Sequence, residues 1–159
     1  MAEMPAGGSS ATIAAMYQDA LLAHHRAPHN RRELPDATSQ AVHRNPVCGD
    51  EIRVLVVVHD GMVRDVAFQG RGCSIATASA SMMTDAVAGV SVSQALALCD
   101  AVERMLQSSE SVSLPESLTA LRGVAPFAGR HGCARMPWHA LREALSVQKS
   151  VVRGSTRTS

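Results

Sequence analysis

The hydrophobic positions of this chain follow two different periods, and the change falls at Cys73. Upstream of it, Ile52 to Val58 and Val63 to Phe68 read as strands separated by His59-Asp60-Gly61-Met62. An Asp-Gly pair between two apolar runs predicts a tight β-hairpin. Ile52, Val54, Val56 and Val58 fall on one face, and Leu55 and Val57 on the other with Val66 and Phe68. One face must therefore be covered by helices and the other at least partly shielded. With Asp60 and Gly61 as the loop, the register sets Cys48 opposite Cys73 and Asp50 diagonally from Arg71, with bulging expected at the glycines 49, 70 and 72. Residues 38–42 predict a short first strand.

Downstream of Cys73 the apolar residues recur at helical spacing. Ser74 to Ala88 predicts a helix with Ile75, Ala78, Met82, Met83 and Ala86 inward and Gly89 as its stop. Ser91-Val92-Ser93-Gln94 has the form of a capping box, opening a third helix whose inner face carries Val92, Ala95, Leu96, Cys99, Val102 and Leu106. Cys99 is thereby read as a small core hydrophobe. Ser113-Leu114-Pro115-Glu116 repeats the capping pattern before a short helix with Leu118 and Leu121, closed near Gly123. Trp138, Leu141 and Leu145 mark a final helix, expected to start after Cys133 because Pro137 would clash with that residue's carbonyl.

At the other end, Ile13, Met16, Tyr17, Ala20, Leu21 and His24 define an amphipathic first helix stopped by Pro28. His24, His25 and His29 do not share a helical face well, and are read as solvated or capping groups in preference to ligands. The expected organisation is a flexible lead over 1–12, one domain over 13–148 and a disordered basic tail over 149–159.

Composition narrows the class. Apolar residues make up 46% of the 159 and charged residues 18%, which are globular values. A net charge of +1, with one Trp, one Tyr and two Phe, argues against a nucleic-acid surface. No apolar run approaches the roughly 18 residues of a membrane span, and no signal peptide is visible. A cytoplasmic protein is expected, in which four cysteines point to metal or catalysis before disulfides.

The candidate chemistry collects at backbone junctions. Cys48 and Asp50, within Asn45-Pro46-Val47-Cys48-Gly49-Asp50, stand two apart and leave one face of an extended backbone. Cys73 opens a helix, where the dipole favours negative charge, and Cys133 lies at another helix mouth. Three thiols and a carboxylate suit a four-coordinate zinc ion, and thiolate-rich sites also suit an iron–sulfur cluster. The cysteine spacings match no zinc-finger pattern, so three unrelated buried thiols remain the alternative on spacing alone. Arg130, three residues before Cys133, could offset the surplus negative charge of such a site; otherwise it is an ordinary loop arginine.

At these residues the chain resembles the SufU/IscU (NifU N-terminal) iron–sulfur assembly proteins. The resemblance rests on the 45–50 motif, on Gly70-Arg71-Gly72-Cys73-Ser74-Ile75-Ala76 with Ala78 to Met83, and on Arg130 and Cys133-Ala134 with Trp138. Tyr17, His24 and Pro28-His29-Asn30 fit as well, so it covers roughly residues 13–147. The long gap before Cys133 resembles the SufU branch, which carries an insertion there. The resemblance implies an α+β fold, with an antiparallel sheet of about three strands packed with about five helices and a metal site at one end. It implies zinc ligands at Cys48, Asp50, Cys73 and Cys133, and Arg130 as the family arginine near the last cysteine. A SufS-type cysteine desulfurase is the implied partner, with Cys48, released from the metal by exchange with a desulfurase histidine, accepting its persulfide sulfur. The alternative is a scaffold that builds a cluster on the same cysteines and passes it to apo iron–sulfur proteins. Two departures stand out. Gly132 occupies the place directly before Cys133 where IscU-type scaffolds have histidine, with His131 one further back. His25 and His29 stand where the family more often has an aromatic and a basic residue.

Overall fold

At the tip of the hairpin Asp60 and Gly61 take φ of 54° and 71°, the left-handed pair that a two-residue loop needs to follow the twist of its strands. The structure, a computed structural model, describes the backbone of residues 3–45, 49–108 and 112–158 and the side chains of 15–45, 49–108 and 112–146. The hairpin strands are β2 (Asp50–His59) and β3 (Met62–Arg71), and β1 (Ser39–Asn45) pairs with the free side of β2. All pairings are antiparallel, in the order β1-β2-β3. The remaining elements are α1 (Glu3–Arg26), α2 (Ser74–Val87), α3 (Val92–Gln107), 3-10 segments at Glu116–Val124 and Ala128–Arg130, and α4 (His131–Thr158).

The hairpin register differs from the sequence expectation by one residue. Val58 pairs with Val63, but Val57 pairs with Asp65, because the ladder bulges beside the turn and not at the glycines. From there to the open end every pair is shifted, so that Glu51 faces Arg71 and Val56 faces Val66. The one-residue slip moves side chains to the opposite face. Val66 therefore joins Ile52, Val54 and Val56 in the main core, and Phe68 pairs with Val54. The open end of the hairpin is displaced with it: Asp50 pairs with Asn45 on β1 and lies just past the last β2–β3 pair, while the predicted opposition of Cys48 and Cys73 falls outside the described residues.

Helices cover one face of the sheet. The other face is shielded by the connection after α1, where Leu34 and Ala37 pack on Leu55 and Ala67. That connection also runs along β3, with the Phe68 N–H donating to the Asn30 carbonyl at 3.0 Å and the Arg32 N–H to the Phe68 carbonyl at 3.2 Å.

Helix α2 is the centre of the packing. Its residues from Ala76 to Thr84 are all buried, so neighbours approach it from every side and no outer face remains. The Ala and Ser run permits this, since small side chains let other backbones come close. The predicted capping box of α3 is present, Ser91 accepting from the Gln94 N–H and Gln94 returning to the Ser91 N–H. At the next predicted cap the helix starts later. Pro115 takes the N-cap position and Glu116 begins a 3-10 segment, so Ser113 caps nothing there.

Two further expectations are adjusted. Met16 is 62% exposed, and α1 is instead held by Tyr17, Ala20 and Leu21. Helix α4 starts at His131, ahead of Cys133, because the 3-10 turn before it already leads in at helical angles. Pro137 is accommodated inside the helix, where it has no backbone N–H to donate. Helical backbone also runs through residues 3–12 and 149–158. No helix among the described residues is long and apolar enough to cross a membrane.

Candidate metal centre

Gly49 takes φ of 74° and donates its N–H to the Asn45 carbonyl at 2.8 Å, bringing the chain back to start β2 at Asp50. The Asp50 carboxylate accepts the Cys73 N–H at 3.1 Å. Cys73 is the N-cap residue of α2, so this carboxylate meets one of the unpaired donors at the helix mouth. The approach needs two glycines. A Cβ on Gly70 would stand 2.1 Å from the Glu51 carbonyl oxygen, and one on Gly72 would stand 2.8 Å from the Ala76 Cβ. The start of α2 is thus laid directly against the end of β2.

Cys133 arrives from a third element. The Ser79 hydroxyl of α2 donates to the Ala134 carbonyl at 2.6 Å and accepts the Trp138 Nε1–H at 3.1 Å. Ser79 and Trp138 are 0% and 2% exposed, so these bonds are shielded from water and fix the first turns of α4 on α2. The outcome is that Asp50, Cys73 and Cys133 each present a ligand atom within 4.8 Å of the others. All three are half-buried, which leaves them accessible from solvent. Two thiols and a carboxylate at that spacing fit a borderline-soft divalent ion such as zinc. Cys48 lies outside the described residues.

The other sequence candidates separate. Cys99 is 3% exposed and directs its Sγ–H at the Trp138 carbonyl, and burial pushes its thiol up to about 12. It is a core residue, as its helical position predicts. Arg130 ends the 3-10 turn before α4 and is exposed. With Tyr17, Leu21, Ile75, Gly123 and Phe127 it lines an open cavity of about 700 Å³, and Phe127 is 61% exposed at its edge. His131 Nε2 stands 2.7 Å from the Ala125 carbonyl, bracing the turn into α4.

One grouping was not read from the sequence. His24 and His29 meet with their ring centroids 4.7 Å apart, and Asp85 of α2 joins them. Helical spacing hid this because His29 is not on the helix: the chain turns back after Pro28, with Asn30 at φ of 61°. Burial first, then the His29 ring, hold the pKa of His24 below its ordinary value, and Asp85 opposes them.

Comparison with known proteins agrees with this architecture. The profile of the NifU-like N terminal domain matches residues 16–146. The iron-sulfur cluster assembly scaffold protein IscU of Streptococcus pyogenes serotype M1 is 41% identical over 132 residues, 82% of each chain. The zinc-dependent sulfurtransferase SufU of Bacillus subtilis (strain 168) is 34% identical over 143 residues, 88% of this chain and 96% of that one. Among solved structures, the N-terminal NifU-like protein of Brucella abortus superimposes with a TM-score of 0.77 at 21% identity, covering 82% of this chain and 92% of that one. Three strands in a single antiparallel meander, the cysteine corner and a profile match over most of its length agree: this chain belongs to the NifU-like N-terminal domain family, that of the IscU and SufU proteins.

Proposed function

We propose that this protein serves iron–sulfur cluster assembly as a zinc-dependent sulfur acceptor for a cysteine desulfurase of the SufS type. The observation that carries the reading is the meeting of Asp50, Cys73 and Cys133 within 4.8 Å, with Cys48 two residues before Asp50 in sequence as the fourth donor. Zinc bound by these four groups would keep the thiols deprotonated at neutral pH. The Cys48 thiolate then attacks the outer sulfur of the donor's persulfide. A new S–S bond forms on Cys48, the donor's S–S bond breaks, and the donor cysteine leaves as a thiolate. No external oxidant is needed, because the persulfide sulfur moves as a unit. Asp50 has a second task, holding the Cys73 N–H, so that the end of β2 and the mouth of α2 stay joined when one thiol leaves the site. Arg130, ending the turn before α4, supplies positive charge on the approach to the centre.

A scaffold that assembles the cluster on the same cysteines is the second reading, favoured by the similarity to the IscU scaffold protein of Streptococcus pyogenes. Against it stand Gly132 in the place directly before Cys133 and the His131 Nε2 engaged by the Ala125 carbonyl. Metal analysis of protein purified without air separates the two. Near-stoichiometric zinc is expected, whereas iron with acid-labile sulfide would establish the scaffold. Cys48→Ala is expected to abolish stimulation of a matched desulfurase, and full stimulation by that variant would end the acceptor proposal.

A further inference from the structure

We propose that His24, His29 and Asp85 form a second, solvent-open site for a divalent ion of the zinc class, separate from the cysteine centre. One ligand atom from each of these residues lies within 4.8 Å of the other two, which is the only other such grouping among the described residues. A tetrahedral zinc ion with nitrogen and oxygen ligands needs them about 3.3 Å apart, so modest side-chain rotation closes the triangle. Two imidazoles and one carboxylate select zinc, nickel or cobalt over magnesium or calcium, which prefer oxygen ligands alone.

The ligands are held in place from beneath. The Ser81 hydroxyl of α2 is fully buried, lies 2.7 Å from His24 Nδ1 and accepts the backbone N–H of His29, also at 2.7 Å. One hydroxyl therefore fixes both histidines. A ligating histidine whose other ring nitrogen is bonded to an oxygen has its orientation set in advance, and His24 has that arrangement. Thr84 extends the support, accepting from the Asn30 side-chain amide at 3.0 Å and so pinning the turn that carries His29. His29 Nδ1 and the Asp85 carboxylate stand 2.6 Å apart, a hydrogen-bonded contact that an incoming ion would replace. Their side chains are 55% and 32% exposed, which leaves the remaining coordination positions to water or to an exogenous ligand.

Asp85 and Cys73 are twelve residues apart on α2, roughly 18 Å along the axis at about 1.5 Å per residue, so the two sites can fill independently. The bland alternative is an ion pair that only ties the turn to α2. It predicts no response to metal.

The test uses the full chain with its cysteine centre already filled with zinc. Further Zn²⁺ is titrated while the histidine side chains are followed by long-range ¹H–¹⁵N correlation. The His24 and His29 ring nitrogens are expected to shift together and saturate with one added ion, with His59 unmoved. Asp85→Asn preserves size and hydrogen bonding, and is expected to weaken this second event at least about tenfold while the first zinc is retained. His29→Gln is the companion variant, with far-ultraviolet circular dichroism checking its fold. Unmoved His24 and His29 signals in millimolar zinc, or undiminished binding in Asp85→Asn, would overturn the proposal. Neither outcome bears on the sulfur-acceptor reading, which concerns the other end of α2.

Discussion

Gly70 is the residue on which the candidate centre leans most heavily. Its φ of 117° is strained for any L side chain, and the space a Cβ needs is occupied by the Glu51 carbonyl oxygen. Gly70→Ala is expected to cost about 1–3 kcal/mol from backbone conformation alone, and more from the clash. Gly129, where a Cβ meets nothing within 4 Å, supplies the control. Urea denaturation should show a lower midpoint for the first variant and almost none of that change for Gly129→Ala. Cys99 makes the opposite case, a thiol withdrawn from chemistry. In metal-free protein at pH 8, iodoacetamide is expected to label Cys73 and Cys133 and to spare Cys99, as read by peptide mass spectrometry. The raised pKa of Cys99 also has a stability consequence. The folded state keeps its proton where the unfolded state loses it, so this contribution is whole below pH 9.0 and declines as pH climbs toward about 12.

Among the elements, α2 links every functional group. Its N-terminus carries Cys73, Ser79 in its middle holds the start of α4, and Ser81 with Thr84 grips the turn after α1. Ser79→Ala would leave the buried Trp138 N–H without an acceptor, at about 1–3 kcal/mol. Because the same bonds set where Cys133 stands, zinc affinity at the cysteine centre is expected to fall alongside stability, as measured by competition with a chromophoric chelator. The contact of β1 with α4 gives a pH dependence. Burial, followed by the charge of His43, lowers the pKa of His139 from 6.5, Arg135 adds to this, and Glu103 opposes it. The unfolded chain therefore binds this proton more readily, and stability should drop as pH falls through about 6.5. Comparing urea midpoints at pH 7.5 and 5.5, His139→Gln should show a smaller drop than the parent.

For the whole molecule, the cysteine corner joins β2, α2 and α4, elements drawn from the middle and end of the chain. An ion held there binds the folded state alone, and contributes about 2.7 kcal/mol when its free concentration is 100 times the dissociation constant. Chelation is expected to lower the melting temperature and leave a folded protein, since the core beneath the corner contains Trp138, Ile52, Met82 and Leu141 in full burial. Collapse of helical circular dichroism on chelation, at a temperature where the zinc form is folded, would mark the site as structural instead.

Local chemistry along the chain was enough to locate most of the elements. The Asp-Gly turn, the Ser91–Gln94 box and the apolar face bearing Cys99 are each decided within a few residues, where period and capping act. The 45–50 and 70–76 motifs carried the family because they are short and specific. What needed the tertiary structure was every relation between distant segments. A bulge beside the hairpin turn moved Val66 into the core and Asp50 past the end of the ladder, and no periodicity marks on which side of a turn an extra residue will lie. The junction of His24, His29 and Asp85 was invisible for the same reason: it is made by the turn after Pro28 folding back onto α2, and helical spacing describes only residues that remain on one helix.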